Sequence, residues 1–183
     1  MRERARIIAA LLMVAGLSLL ALSPARAASW QSIMTEDFEG AFPTGLWSQT
    51  DANGPTNGEQ YWDVTGFRFN NGANSAYCGQ GGANGFPAPG PYVPEMRGWI
   101  IYGPFDLSDA VGAELNFWYW NDSQSGADYF KWLASVDGSY YFNSHSGNSG
   151  GWVYENFDLT NVPTLGDVTD HPEVWIAFKF DSD

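Results

Sequence analysis

Basic side chains, cysteine and histidine are all scarce in this sequence. Eight Lys and Arg stand against 21 Asp and Glu in 183 residues, for a formal net charge of -13. Phosphate backbones and anionic lipid surfaces both require a basic face, so the balance excludes a nucleic-acid binder and a protein docked on an anionic membrane. The single cysteine, Cys78, cannot close an internal disulfide. Its place after Tyr77 in an apolar stretch marks it as a small buried side chain. The two histidines, His145 and His171, lie far apart, both in stretches that read as loops, and no His-Glu-x-x-His motif is present, so zinc chemistry has no ligand set. Charged residues make up only 16%. Beyond the first 27 residues no stretch repeats apolar side chains at i, i+3, i+4 and i+7 over three turns, which removes the helical fold classes.

The chain does hold 21 Gly and 16% aromatic residues in a 44% hydrophobic composition. That is enough apolar material for one packed domain, and it favours strands and turns. Arg2, Arg4 and Arg6 precede an apolar run from Ile7 to Leu22, followed by Ser23-Pro24-Ala25-Arg26-Ala27. This is the pattern of a secretory signal peptide cut after Ala27, with the run too short for a membrane anchor. The expected product is a secreted, extracellular β-sandwich domain over 28–183. Losing four Arg and one Glu leaves it with 4 basic and 20 acidic residues. Acidic, disulfide-free extracellular β proteins often rely on calcium to hold their carboxylates together.

Strands follow from alternation. Glu114 to Trp120 sets Leu115, Phe117 and Tyr119 against Asn116, Trp118 and Trp120. Asp128 to Val136 sets Phe130, Trp132, Ala134 and Val136 against Tyr129, Lys131 and Leu133. Val174 to Phe180 turns Val174, Ile176, Phe178 and Phe180 inward. Trp62 to Phe69, Ser75 to Cys78, Trp99 to Phe105 and Trp152 to Leu159 complete the set, with Ser32 to Glu39 expected as a first strand. Gly79 to Pro94 and Asn143 to Gly151 read as loops. Phe105-Asp106-Leu107-Ser108 and Phe157-Asp158-Leu159-Thr160 echo each other, each placing Phe and Leu on one face and starting a turn at Ser or Thr.

Four constellations carry candidate chemistry. Glu36, Asp37 and Glu39 gather three acids. On a strand Asp37 and Glu39 share one face about 7 Å apart, a spacing open to calcium ligation or to a glycosidase pair. Asp51 to Glu59 alternates oxygen ligands with Gly, as calcium loops and ordinary Asx turns both do. Gly147-Asn148-Ser149-Gly150-Gly151 matches the G-x-S-x-G pattern with His171 downstream. The strand-turn-helix setting of a serine hydrolase is missing, so a hairpin loop is the reading preferred. Nine Trp and nine Tyr fill a core or form a sugar-stacking platform, for which Trp118, Trp120, Trp132 and Trp175 are the candidates.

Asp37-Phe38-Glu39-Gly40, then Phe42-Pro43 and Trp47, resembles the opening of secreted bacterial MAM-like, cleaved-adhesin and choice-of-anchor J domains. It is also similar to the accessory domain of immune inhibitor A-type metallopeptidases. The likeness runs on through Ser75 to Gly79, Tyr102 to Ser108, Ala113 to Trp118, Gly147 to Trp152 and Val174 to Phe178. It implies an all-β jelly-roll (concanavalin-like) sandwich of two antiparallel sheets that acts as a non-catalytic adhesion or accessory module. It implies a structural Ca2+ with Glu39 as a ligand and Asp128 as a second, to which Asp37 and Asp51 add themselves from the acid patterns above. Family members resembling this sequence continue past Asp183 with a last strand carrying an acidic pair. The expectation is therefore a sandwich lacking that strand, its first strand left as a bare edge. The partners implied are an extracellular glycan or protein surface and a downstream catalytic or anchor domain.

Overall fold

The computed structural model describes residues 29–183 apart from Pro55 and Asn57. The expected signal peptide over 1–27 lies outside the described residues. Nine strands follow in order: β1 Trp47–Asp51, β2 Tyr61–Thr65, β3 Ser75–Gly81, β4 Arg97–Phe105, β5 Glu114–Tyr119, β6 Tyr129–Ser135, β7 Tyr141–His145, β8 Val153–Asp158 and β9 Val174–Asp181. No helix is found among the described residues. β1-β4-β9-β6-β7 form one five-stranded sheet, and β2-β3 and β5-β8 form two further sheets of two strands each. All pairings are antiparallel. The all-β sandwich is as expected, but its second layer is made of two separate pieces.

Alternation explains the layering. The inward row of β9 (Val174, Ile176, Phe178, Phe180) and that of β6 (Phe130, Trp132, Ala134) face the inward row of β5. Phe117 meets Phe178 edge-on at 4.8 Å between centroids, and Tyr119 meets Phe130 at 5.4 Å. The β2-β3 piece rests on the same face: Trp62 lies 6.2 Å from Phe130, and its indole N–H donates to the Gly98 carbonyl of β4 at 3.0 Å. Such ring contacts add to the burial of apolar area that holds the layers together.

Two expectations are corrected. Residues 32–39 do not form a strand. The Phe38 N–H donates to Glu36 Oε1 at 2.8 Å, the Glu39 N–H donates to Asp37 Oδ1 at 3.0 Å, and Phe38 sits at φ 60°. Acid side chains that capture their own backbone N–H groups compete with a ladder and curl the chain. Asp37 and Glu39 therefore do not share a strand face. The second correction is β7, which lies partly within the stretch read as a loop and takes His145 into the sheet opposite Phe130.

The echo is structural. Asp106 accepts from the Ser108 N–H and hydroxyl at 2.8 and 2.6 Å, and Asp158 accepts from those of Thr160 at 2.8 and 2.7 Å. Each closes an Asx turn at a strand end, with Leu107 and Leu159 buried beside it.

Glu155 sits on the inner row of β8 opposite Phe117, and burial raises its pKa. A raised carboxyl pKa means that the folded state holds the proton more tightly than the unfolded state. The group's contribution is then present at low pH and lost as pH climbs from the ordinary Glu value of about 4.3 through the folded value. Glu155→Gln is expected to melt above the parent at neutral pH and to match it at acid pH. An unchanged difference in Tm across that range would contradict the assignment.

Candidate functional site

The outer face of β5-β8 carries the best-formed cluster of exposed recognition groups. Because β5 and β8 pair in regular register, their outward residues stand in rows: Glu114 opposite Asp158, Asn116 opposite Asn156, and Trp118 opposite Tyr154. Trp118 is 50% and Tyr154 51% exposed, with ring centroids 5.4 Å apart and planes inclined by 58°. They form a shallow apolar V open to solvent. Below it the polar groups are fixed by one another. The Tyr154 hydroxyl donates to Asn116 Oδ1 at 2.6 Å. The Asn156 amide donates to Asn116 Oδ1 at 2.8 Å and to Glu114 Oε2 at 2.6 Å, and the Asn116 amide donates to Glu114 Oε1 at 2.8 Å. These bonds, Asn156 first and then Asn116, hold the Glu114 carboxyl below the usual Glu range. At neutral pH the row thus presents an ionised acceptor and two oriented amides beside two aromatic faces.

Trp120 follows at the end of β5, 38% exposed, edge-on to Trp152 at 6.2 Å. The Arg68 guanidinium lies over its ring at 4.0 Å from the centroid, a cation–π contact that covers one of its two faces. Trp118 and Trp120 are therefore both exposed at the end of β5, each beside a different aromatic partner. The other two platform candidates are not. Trp132 is 4% exposed and packs in the core against Phe117 and Tyr119, so it offers no face to a ligand. Trp175 lies on the row of β9 opposite to its core-facing residues, on the far side of the sandwich. Tyr154, Asn156 and Glu114 were missed, because cross-strand register cannot be read from a single sequence.

The four calcium candidates have separate partners. Glu39 accepts from the Ala73 N–H at 2.6 Å, the Asn74 N–H at 3.0 Å and the Asn74 side-chain amide at 2.9 Å. Its carboxylate serves as the cap of the turn that leads into β3. Asp37 accepts from its neighbour Glu39, and Asp51 from the N–H groups of Asn53 and Gln60 at 3.4 and 3.1 Å. Asp128 is buried and accepts from the Tyr92 hydroxyl and from the Gln124 and Asp183 N–H groups. Among the described residues no group of three or more His, Cys, Asp or Glu gathers closely enough to bind a metal. The calcium set named above does not assemble into one site.

The hydrolase candidates are placed in a loop. Ser149 donates to the Gly151 carbonyl at 2.7 Å and accepts from the Asn121 N–H at 3.1 Å, which pins the 147–151 turn to the end of β5. No hydrogen bond joins it to His171 among the described residues, and β8 rather than a helix follows. Cys78 is buried, and desolvation pushes its thiol up to about 12, so it is no nucleophile at neutral pH.

No family model matches the sequence, and no curated protein does. Among solved structures, the chain is similar to the K1 cleaved adhesin domain of Lys-gingipain from Porphyromonas gingivalis W83. The identity is 18%, over 80% of this chain and 93% of that one, with a TM-score of 0.49.

Proposed function

We propose that this protein is an extracellular, non-catalytic binding module that holds a glycan on the outer face of β5-β8. The observation that carries the reading is the Trp118–Tyr154 pair standing over the Asn116, Asn156 and Glu114 network. Pyranose rings present an apolar C–H face and an equatorial belt of hydroxyls. The tilted aromatic pair suits the first, and the amides and carboxylate suit the second. Because the polar groups are already bonded to one another, little side-chain entropy is lost on binding. The strongly acidic chain favours neutral or basic sugars over acidic ones.

The test is a broad glycan array with the full chain, followed by titration of the best ligand. Trp118→Ala is expected to weaken binding at least tenfold, about 1.4 kcal/mol or more, while the melt stays near that of the parent because the side chain is half exposed. Lack of binding on the array, or binding indifferent to both Trp118→Ala and Tyr154→Ala, would refute the proposal. Cleavage of the bound glycan would refute its non-catalytic part.

A further inference from the structure

The few cations of this acidic chain are gathered rather than spread. Residues 28–183 hold four of them, Arg68, Arg97, Lys131 and Lys179. The last three stand together on the outer face of the five-stranded sheet. β4, β9 and β6 turn Ile100, Phe178, Phe180, Phe130 and Trp132 into the core, so their alternate residues face outward. Register then lines these up. Trp99 is opposite Lys179 and Lys179 is opposite Lys131, while Arg97 is opposite Asp181 in the adjoining row.

Two lysines directly opposite each other on one sheet face repel. Asp181 bridges them, with Lys131 Nζ at 2.7 Å from one carboxylate oxygen and Lys179 Nζ at 2.6 Å from the other. Each ammonium also lies over an aromatic ring, Lys179 at 4.8 Å from the centroid of Trp99 and Lys131 at 4.9 Å from that of Phe142. The two side chains are thus held in place, 19% exposed at Lys131 and 17% at Lys179, and each ammonium keeps N–H donors to spare. Arg97 is exposed, and among the described residues it has no carboxylate within ion-pair distance. One carboxylate therefore answers three cations, and the patch is positive on a chain of formal charge -13. Phe142, 46% exposed, offers an apolar surface at its edge.

We propose that this face is a second binding site, for an oligosaccharide of uronate sugars whose carboxylates meet Lys131, Lys179 and Arg97 and one of whose rings lies on Phe142. The anion relieves the repulsion that Asp181 alone leaves between the cations. β4, β9 and β6 are each paired on both sides, so no backbone edge is open there for a peptide to join. Recognition runs through side chains, which suits a ligand of rings and charges. A strand added at either edge of this sheet lies beside the cations and not over them. A nucleic acid needs cations spaced along its backbone, and three in one patch do not supply them. The acidic remainder of the chain is screened over about 8 Å at physiological ionic strength, so the ligand meets the local excess of positive charge. The inference is independent of the glycan face on β5-β8, which lies on the other side of the sandwich.

The experiment uses the full chain with the trisaccharides of galacturonate, glucuronate and mannuronate, each matched by its neutral methyl ester. Binding is followed by calorimetry at low and at physiological salt. At least one acid is expected to bind, and its ester to bind about tenfold or more weakly, the worth of one hydrogen bond to a charged group. Binding of the acid should weaken as salt rises. Lys131→Gln and Lys179→Gln should each weaken it several-fold. If these variants fail to fold, Arg97→Gln and Phe142→Ala decide. Both side chains are exposed, so the melt should stay near that of the parent while binding falls several-fold. Trp118→Ala, on the opposite face, should leave uronate binding unchanged, so this site and the glycan face are tested separately. The proposal is overturned if no uronate binds, if acid and ester bind alike, or if Arg97→Gln and Phe142→Ala both bind as the parent does. It is overturned equally if Trp118→Ala abolishes binding, or if a glutamate tripeptide binds more tightly than every uronate.

Discussion

Phe130→Ala is expected to cost about 3–5 kcal/mol of stability, the range for removing a large aromatic side chain from a packed core. Phe130 is 8% exposed, and its ring touches those of Trp62, Phe117, Tyr119, Trp132 and Phe178. Those partners come from β2, β5, β6 and β9, so the ring is where both small sheets rest on the large one. A smaller side chain leaves a cavity that neither small sheet can fill without sliding on the large one. With about 2–4 °C lost per kcal/mol in a domain of this size, the melt should fall by roughly 6–20 °C. Phe130→Leu keeps most of the volume and should lose less than half as much. Urea titrations of both variants check the prediction. A shift in the Phe130→Ala midpoint worth under about 1 kcal/mol would mean that the layers do not depend on this contact.

The parts of the fold that were legible in the sequence are those where one face is apolar and the other is not. β5 and β9 declare themselves through Leu115-x-Phe117-x-Tyr119 and Val174-x-Ile176-x-Phe178-x-Phe180, and their inward rows are those that pack. β7 gave no such signal. Its Tyr-Phe-Asn-Ser-His sequence lies at the sheet edge with three of five residues exposed, so burial imposes no alternation on it. The stretch before β1 misled in the opposite sense. Ile33, Thr35 and Asp37 alternate with Met34, Glu36 and Phe38, but neither set is apolar throughout, and the acid side chains take the backbone N–H groups that a ladder needs.

The same limit governs the site. Alternation placed Trp118 and Trp120 on one face of β5 and placed Trp132 with Phe130 on one face of β6. It cannot say which face is inside when both carry large apolar residues, as β6 does with Leu133 at 2% exposed and Trp132 at 4%. The partners of Trp118 lie 36 to 42 positions from the β5 residues they meet, and only the β5-β8 register brings them there. The split between β3 and β5 is likewise a property of pairing. Each strand is well formed alone, and nothing in either sequence records that its second edge goes unpaired.

Asp128→Ala is expected to cost about 2–4 kcal/mol, since it strips a buried acceptor from donors that then lack a partner. The residue is 2% exposed. One carboxylate oxygen takes the Tyr92 hydroxyl and the Gln124 N–H, and the other takes the Asp183 N–H at 3.0 Å. The Tyr92 ring packs edge-on against Phe180 at 5.0 Å. One side chain thus ties the loop after β3, the turn before β6 and the segment after β9. Asp128→Asn retains one acceptor oxygen but turns an amide N–H₂ toward other donors, so it should lose a large part of the same stability. This account also separates hydrogen bonding from cation binding. If the carboxylate works by accepting from these three donors, melts of the parent in calcium and in chelator should coincide. A calcium-dependent rise in the parent that disappears in Asp128→Asn would assign the carboxylate to a metal and overturn the hydrogen-bond account. The loop that Tyr92 anchors also lines a groove between β3 and β5. Asp128→Ala should therefore loosen this loop and speed amide exchange at Ala88, Gly90 and Tyr92 ahead of global unfolding.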